Sequence, residues 1–343
     1  MRLPKAAAAV ATAIALVTLA ACSGTSSTTT STSSSSVSKP KVAIILGGLA
    51  NDGGFNEYAA DAGKTLEKEG KISLSIRESV TTASDSEPIM RQYAAQGYNL
   101  IIGWGLDFSD SVFKVAKEDP KTNFVATGGE DILKEATKNV ETWTYSSEQD
   151  GYLIGWIAGK SGLDTVGVVD GQLASFNETT YKYVAYGLKQ ANPDATMLQS
   201  IFTGSWDDTS LANQAAKAQI AAGAKLIITG AEGYTPGVLA AAKQAGVATL
   251  GASLASSTDA KEVNLGYVSL DFTPNLRSIV SNVVSGKFAD KSYIATINNK
   301  GLVFDDLNPV KYAPKITSSF GDEVSALGKQ IASGTISIPA TLP

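Results

Sequence analysis

The chain of 343 residues contains no histidine and one cysteine, Cys22. The lack of histidine excludes a histidine general base, a histidine-ligated metal and a Ser-His-Asp triad. A single cysteine excludes disulfides within the chain and, together with the position of Cys22, removes thiol catalysis from consideration. Charge is also sparse, with 18% charged residues and a net charge of −5. This mild acidity argues against a nucleic-acid partner, which would require a basic face.

Only one long hydrophobic run occurs, and it lies at the start of the chain. Residues 1–5 carry positive charge, and residues 6–19 are an unbroken run of Ala, Val, Ile, Leu and Thr. This length is typical of the hydrophobic region of a signal peptide and is short for a membrane span. Ala20 and Ala21 then precede Cys22.

The sequence Leu19-Ala-Ala-Cys22 resembles the lipobox of bacterial lipoproteins, whose cysteine is acylated and becomes the new N-terminus. The resemblance implies a signal peptide over residues 1–22, lipidation of Cys22 and localisation at the cell membrane, anchored by lipid on its extracytoplasmic face. An ordinary secretory signal with an incidental cysteine is the alternative. Residues 23–40 are rich in Ser and Thr and have too little apolar surface to offset the entropy of ordering, which predicts a disordered linker.

Strand and helix patterns alternate from Lys41 to about Pro339. Short apolar runs predict strands at 41–48, 73–78, 100–105, 123–127, 140–145, 165–170, 196–202, 225–229 and 248–252. Helical periodicity with glycine or proline stops predicts helices at 55–69, 87–96, 109–118, 148–160, 177–190, 211–222 and 236–245. Such alternation predicts an α/β fold of right-handed βαβ units, with parallel sheets covered by helices.

One segment of this pattern recurs. Residues 95–105 lie 126 positions before residues 221–231, and the same offset pairs 116–117 with 242–243. The repeat predicts two doubly wound parallel-sheet domains of like topology, which also suits a body of about 300 residues. The alternative is convergent patterning, because helix-Gly-strand units resemble one another.

Aromatic and short polar side chains concentrate in the loops that follow the predicted strands. The candidate ligand-binding residues are Asn51, Asp52, Phe55, Asn56, Trp104, Asp110, Phe176, Asn177, Trp206 and Tyr234. Ligands of open α/β sheets bind at the carboxyl ends of the strands, and aromatic faces with polar groups suit a flat, hydroxylated or nitrogen-rich small molecule. The alternative is loop packing and helix capping, which is favoured for Asp110 and Asp208 and undecided for Phe55 and Phe176.

Several motifs together resemble one family, the basic membrane protein family of ABC-transporter substrate-binding lipoproteins, and within it the purine-nucleoside receptors. The motifs are Asn51-Asp-Gly-Gly-Phe-Asn-Glu57, Gly103-Trp-Gly-Leu-Asp-Phe-Ser-Asp-Ser-Val112, Asp150-Gly-Tyr-Leu-Ile-Gly-Trp-Ile-Ala-Gly159, Gly204-Ser-Trp-Asp-Asp208 and a closing helix-Gly-strand-Pro tail at Lys329 to Pro339. Each motif alone is weak, but they occur in the family's order over nearly the whole mature chain.

The resemblance implies a type I periplasmic-binding-protein fold, whose two domains are joined by a three-strand hinge. The crossovers would lie near residues 146, 269 and 301. The first domain would comprise residues 41–146 plus about 270–300, and the second 147–269 plus about 301–343. The resemblance also implies a base stacked between Phe55 and Phe176, with polar contacts from Asp52, Asn56 and Asp110.

The chain departs from the nucleoside-binding pattern at the groups that grip ribose. The family's G-V-D-x-D strand end reads Gly251-Ala-Ser-Leu-Ala255, and no lysine lies between Lys261 and Lys287, where the next strand should carry one. A nucleobase or another flat polar solute therefore remains open beside a nucleoside.

These features predict a solute receptor that serves an ABC importer. The expected partners are a small solute, permease and ATPase subunits on separate chains and a membrane reached through the lipid anchor. A monomer without cofactor, metal or catalytic residue is expected, and no P-loop motif occurs. The alternatives are a lipoprotein that senses ligand for a membrane signalling partner, and an extracellular enzyme using acids such as Asp207 and Asp208.

Overall fold

The computed structural model describes residues 38–230, 232–253, 255–289 and 291–342. The predicted signal peptide, Cys22 and nearly all of the predicted linker lie outside these residues. Within the described part of the chain, no helix is both long and apolar enough to cross a membrane. Strands and helices are numbered below in chain order.

The first sheet has six strands, and every strand pair in it is parallel. In spatial order the strands are β2 (Ser73–Arg77), β1 (Lys41–Leu46), β3 (Leu100–Trp104), β4 (Asn123–Thr127), β5 (Val140–Tyr145) and β12 (Ser292–Ala295). The helices of this part are α1 (Phe55–Lys68), α2 (Ala83–Ala95), α3 (Ser109–Glu118) and α9 (Thr273–Ser285). The central strands β1 and β3 are buried because helices cover both faces of the sheet. We call this sheet and its helices the first lobe.

The second sheet is also parallel and has five strands. Across the sheet lie β10 (Ala248–Leu250), β9 (Leu226–Thr229) and β6 (Thr165–Asp170), and β6 then pairs with both β7 (Thr196–Met197) and β8 (Ile201–Phe202). The helices are α4 (Ser147–Lys160), α5 (Ser175–Ala191), α6 (Thr209–Ala221), α7 (Thr235–Ala245), α8 (Ala260–Val263) and α10 (Phe320–Ala332). We call this sheet and its helices the second lobe.

The two lobes share one topology, as the sequence repeat predicts. Strand β3 begins at Leu100 and β9 at Leu226, while α3 begins at Ser109 and α7 at Thr235, so both pairs keep the offset of 126 residues. The spatial order β2-β1-β3-β4 in the first lobe matches β7-β6-β9-β10 in the second. The likeness therefore extends from sequence spacing to strand order.

Between residues 38 and 342, the described part of the chain passes between the lobes three times. The first passage joins β5 to α4 around Ser146. The other two are β11 (Tyr267–Leu270) and β13 (Leu302–Asp305), which pair antiparallel outside both larger sheets. After β11, helix α9 packs against α1 in the first lobe, and after β13, helix α10 joins the core of the second lobe. A hinge at these passages stays a prediction.

Two predicted strands are wrong. The strand predicted over residues 196–202 is broken in two, because the Gln219 amide reaches into the sheet and donates to the carbonyls of Gln199 (2.8 Å) and Val168 (2.9 Å). The tail after Gly334 forms no strand, since Ile336 N–H donates back to Gln330 and the Pro339 carbonyl accepts from the Tyr183 hydroxyl. Both segments satisfy their backbone groups without a sheet.

Helices α4 and α5 pack backbone against backbone. A Cβ atom on Gly151 would lie 2.1 Å from the Thr180 carbonyl oxygen, and one on Gly155 would lie 2.1 Å from that of Val184. Gly159 continues the same face of α4, and a Cβ atom there would lie 2.7 Å from the Cβ atom of Ala191 on α5. The spacing of four residues places these glycines in one row, so the two helices lie closer than side chains would allow. The start of α4 is thereby fixed relative to α5.

We expect Gly155→Ala to destabilise the protein, because the added methyl group must separate α4 from α5. Overpacking of this kind costs roughly 1–3 kcal/mol. The matched control is Gly328→Ala in α10, where a Cβ would make ordinary contact with Ile297 at 3.5 Å. That change should raise stability by about 0.5–1 kcal/mol, since alanine favours helix interiors. Chemical denaturation measures both, and equal effects of the two changes would contradict the close packing.

Candidate functional site

The strand-end loops of the two lobes meet. A Cβ atom on Gly53, in the loop after β1, would lie 3.4 Å from the Cβ atom of Ser256, in the loop after β10. The ring of Tyr145, at the end of β5, lies 6.3 Å from the ring of Phe176 in α5. We call the space bounded by these strand ends the interlobe cleft.

Asp52 and Asn56 hold the first cleft loop at the start of α1. The Asp52 carboxylate accepts hydrogen bonds from Gly54 N–H (2.9 Å), Glu57 N–H (3.1 Å) and both the backbone N–H and the side-chain amide of Asn56. The side-chain oxygen Oδ1 of Asn56 accepts from Gly48 N–H at 3.2 Å. These bonds satisfy free amides at the helix start, which is the capping role considered for such residues. Asn51, in the same loop, is exposed.

Phe55 is held from behind by a stack of buried tryptophans. Its ring centroid lies 4.9 Å from that of Trp104, which in turn stacks at 4.3 Å on Trp143. Trp104 donates its indole N–H to the Phe55 carbonyl at 2.8 Å and is only 1% exposed. Trp104 was predicted to bind ligand, but in this structure its surface is used by the aromatic stack. Phe55 is half-buried and is the member of the stack on the cleft side.

Phe176 and Trp206 form the aromatic part of the second lobe. Their rings are nearly parallel, at 23°, with centroids 6.2 Å apart, and both are half-buried. Trp206 lies directly on the backbone of Gly171, where a Cβ atom would come within 2.1 Å of its ring. Glycine at position 171 is therefore required for this placement of Trp206.

A buried carboxylate, Asp170, organises the second lobe beneath these rings. It accepts from the hydroxyls of Tyr181 and Tyr234 (both 2.7 Å), from Gly171 N–H (2.8 Å) and from the Asn177 amide (3.3 Å). Burial raises the pKa of Asp170, and these four donors oppose that shift. Asn177 and Tyr234, predicted to bind ligand, are almost fully buried and hold Asp170 instead.

Of the two aspartates predicted to cap helices, Asp208 does so and Asp110 does not. Asp208 accepts from the N–H groups of Ser210 (2.9 Å) and Leu211 (3.0 Å), which confirms its capping of α6. Asp110 does not cap α3: the capping position is Phe108, and Asp110 lies exposed in the first turn. A short turn of 3₁₀ helix before α3 starts the helical backbone earlier than the polar pattern indicates.

Sequence reasoning missed two further acids in the cleft, Asp150 and Glu232. Asp150 lies in the first turn of α4, where burial and then the charge of Asp170 raise its pKa to about 7. Glu232 lies just before α7, where burial and then the charges of Asp52, Asp170 and Asp207 raise its pKa. Glu232 follows a strand end and could have been found from that position, whereas Asp150 lies on a helix and gave no such signal. Over the described ranges, no cluster of acids is arranged to hold a metal ion.

The chain is similar in sequence and in fold to substrate-binding proteins of ABC transporters. A family described as ABC transporter substrate-binding protein, PnrA-like, matches residues 39–341. A solute-binding protein of an ABC transporter system from Conexibacter woesei is 34% identical, with a TM-score of 0.77 over 88% of this chain and 98% of that one. Basic membrane protein A2 of Borrelia garinii is 27% identical over 60% of this chain and 61% of its own. The nucleoside-binding protein BmpA of Lactococcus lactis is 26% identical over 56% and 55%.

The chain spans about three fifths of the length of the curated relatives it matches. The solved solute-binding structures share its arrangement of parallel sheets, which confirms the predicted type I fold. The family consists of substrate-binding proteins, which confirms the prediction of a binding protein and not an enzyme. With a match from residue 39 to residue 341, the chain belongs to the PnrA-like family of ABC transporter substrate-binding proteins, as its resemblance to the basic membrane proteins predicted.

Proposed function

We propose that this protein is a lipid-anchored receptor of an ABC importer. It captures a nucleoside, a nucleobase or a similar flat polar solute in the interlobe cleft and delivers it to a permease. The observation that carries the proposal is the pairing of aromatic faces from both lobes at the strand ends, with Phe55 on one side and Phe176 and Trp206 on the other. The nucleoside-binding name of the relative from Lactococcus lactis supports this solute class.

Phe55 and Phe176 are the proposed stacking residues. Each is half-buried and backed by another aromatic ring, so each has a fixed orientation before the solute arrives. A rigid aromatic platform loses little conformational entropy on binding. Asp52 and Asn56 fix the loop that carries Phe55, and the Asp170 cluster fixes the start of the helix that carries Phe176.

Binding is proposed to close the two lobes as domains, with the first made of residues 41–146 and about 270–300 and the second of residues 147–269 and about 301–343. A solute that contacts both lobes binds the closed form more tightly and therefore shifts the population toward it. The three passages between the lobes supply the connection about which closure occurs.

We expect Phe55→Ala and Phe176→Ala each to weaken solute binding by roughly 10- to 100-fold. Stacking on an aromatic face contributes about 1–3 kcal/mol per base, and 1.4 kcal/mol corresponds to a factor of ten. Calorimetric titration with adenine, guanine, adenosine, guanosine and inosine measures the effect. Phe288→Ala, in the first lobe after α9, is the control and should leave affinity unchanged. Unaltered affinity in both cleft variants would contradict the stacking.

If solute binding closes the lobes, the protein should be more compact with solute than without it. The radius of gyration, measured by small-angle scattering on the mature protein, should fall when the solute that co-purifies with it is restored to saturation. Identical scattering profiles with and without that solute would argue against hinged domains.

The proposed anchor depends on Cys22. Replacing it by alanine should move the protein from the membrane fraction to the medium or the soluble envelope fraction, because acyl chains can no longer hold it. Fractionation followed by immunoblotting measures this, with Ser23→Ala as the matched control. A Cys22→Ala protein that stays on membranes after a salt wash would disprove lipid anchoring.

A further inference from the structure

Two carboxylates in the interlobe cleft have no partner within the described ranges of the chain. Among the residues that the structure describes, the side chains of Asp150 and Glu232 neither accept a hydrogen bond nor form an ion pair. Neither serves as a helix cap, since Ser146 caps α4 and the hydroxyl of Thr235 accepts from Glu232 N–H. Protein carboxylates in such surroundings normally receive donors, because an unpaired charge away from bulk water is costly.

A third polar group without a partner among the described residues, the hydroxyl of Tyr58, interacts with both Asp150 and Glu232. The hydroxyl of Tyr58, on α1 of the first lobe, is buried and has no hydrogen-bond partner. Its pKa is raised well above the ordinary value, first by burial and then by the charges of neighbours that include Glu232, Asp52 and Asp150. Tyr58 therefore lies among the cleft acids, and its hydroxyl is left unsatisfied there.

Among the described residues, the titratable groups that interact electrostatically with Asp150 and Glu232 are acids and tyrosines. Asp150 faces Asp170 at the end of β6, Tyr145 at the end of β5, Tyr58 on α1 and Tyr181 on α5, while Glu232 faces Asp52, Asp170, Asp207, Tyr58 and Tyr145. In the described part of the chain, no lysine or arginine lowers the pKa of either carboxyl. The cleft thus concentrates negative charge without a basic residue to balance it.

We propose that the solute is an organic cation, a flat molecule whose positively charged nitrogen group is placed between Asp150 and Glu232. This identification rests on the proposed function and narrows its solute class. The solute supplies the charge that the protein lacks, and its N–H donors satisfy the two carboxylates. Binding should also be fast, since a cleft of one sign attracts a ligand of the other.

The aromatic side chains of the cleft suit the same ligand. Phe55, Tyr145, Phe176 and Trp206 present ring faces, and such faces attract cations as well as flat rings. A bare metal ion is a poor alternative, because the acids in the described ranges do not come together in a group that could chelate one. With a neutral solute each carboxyl group would have to take up a proton or stay ionised without a counter-charge, whereas a cation stabilises the ionised form directly.

The test uses pairs of flat probes that differ in charge. The pairs are benzamidine with benzamide, 1-methylnicotinamide with nicotinamide, and 1-methyladenosine with adenosine. The mature protein is titrated with each compound by calorimetry at about pH 8. We expect the cation of at least one pair to bind about tenfold or more tightly than its neutral partner, which is the strength of one charge-assisted contact.

Two variants test the residues. Asp150→Asn and Glu232→Gln should each abolish most of this preference for the cation, whereas Glu178→Gln, an exposed change beside Lys182 on α5, should preserve it. Affinity of wild type for the cation should fall between about pH 8 and pH 6, because the pKa of Asp150 is about 7 and the protonated form carries no charge. Asp150→Asn should weaken this pH dependence, and any remainder should come from Glu232, whose pKa is also raised.

A measurement without solute provides an independent readout. The pKa of Asp150 is raised from 3.8 to about 7 in the folded protein, so ionisation of Asp150 lowers stability progressively as pH rises between these values. Asp150→Asn should therefore raise the melting temperature more at about pH 8 than at about pH 4. Glu178→Gln should show no such trend.

The outcomes separate the two proposals. Equal binding within every pair, preference for the neutral members, or no binding of any probe overturns the cationic solute. Tight binding of adenosine with closure of the lobes would leave the receptor function standing while overturning the cation. If no solute of any charge closes the lobes, and none co-purifies with the protein, the receptor function itself fails.

Discussion

The arrangement of the second lobe depends on one buried carboxylate, Asp170, and the four donors that converge on it. A buried charge is tolerated only when its oxygens are fully hydrogen-bonded, so the donors must stay in place. Three of those donors come from α5 and from the start of α7, which also position Phe176 and Glu232, and the fourth is the N–H of Gly171 directly after β6. The need to hydrogen-bond the buried Asp170 carboxylate thus helps to fix where Phe176 and Glu232 lie in the cleft. Asp150 and Glu232, for which the described residues supply no such donors, contrast with Asp170 and are left available for an external partner.

Most of the fold could be predicted because its signals are local. Short apolar runs ending in glycine, such as the one at Leu100, and helices ending in glycine, such as the one before Gly246, depend on burial and backbone conformation near each residue. The repeat at 126 residues also predicted the like strand order of the lobes. The prediction of one continuous strand over 196–202 was wrong because a side chain distant in sequence, Gln219, donates to the backbone carbonyls of Gln199 and Val168.

The candidate site was less predictable, for a physical reason. A loop position shows that a residue lies near a cleft, but it does not show whether the side chain faces ligand or protein. Trp104 and Tyr234 follow strand ends as predicted, yet partners far along the chain, Phe55 and Asp170, cover them. Asp150 was missed because only the close packing of α4 against α5 places it beside the end of β6. Such long-range packing leaves no trace in local sequence pattern.

The passages between the lobes also determine when the chain can fold during its synthesis. The first sheet is incomplete until β12, which ends at Ala295, pairs with β5, and the second core is incomplete until α10, which ends at Ala332, packs on it. Neither lobe can therefore reach its native core before most of the polypeptide has been made. Completion of each core thus depends on contacts between segments that are far apart in the chain, which makes it a late event in synthesis.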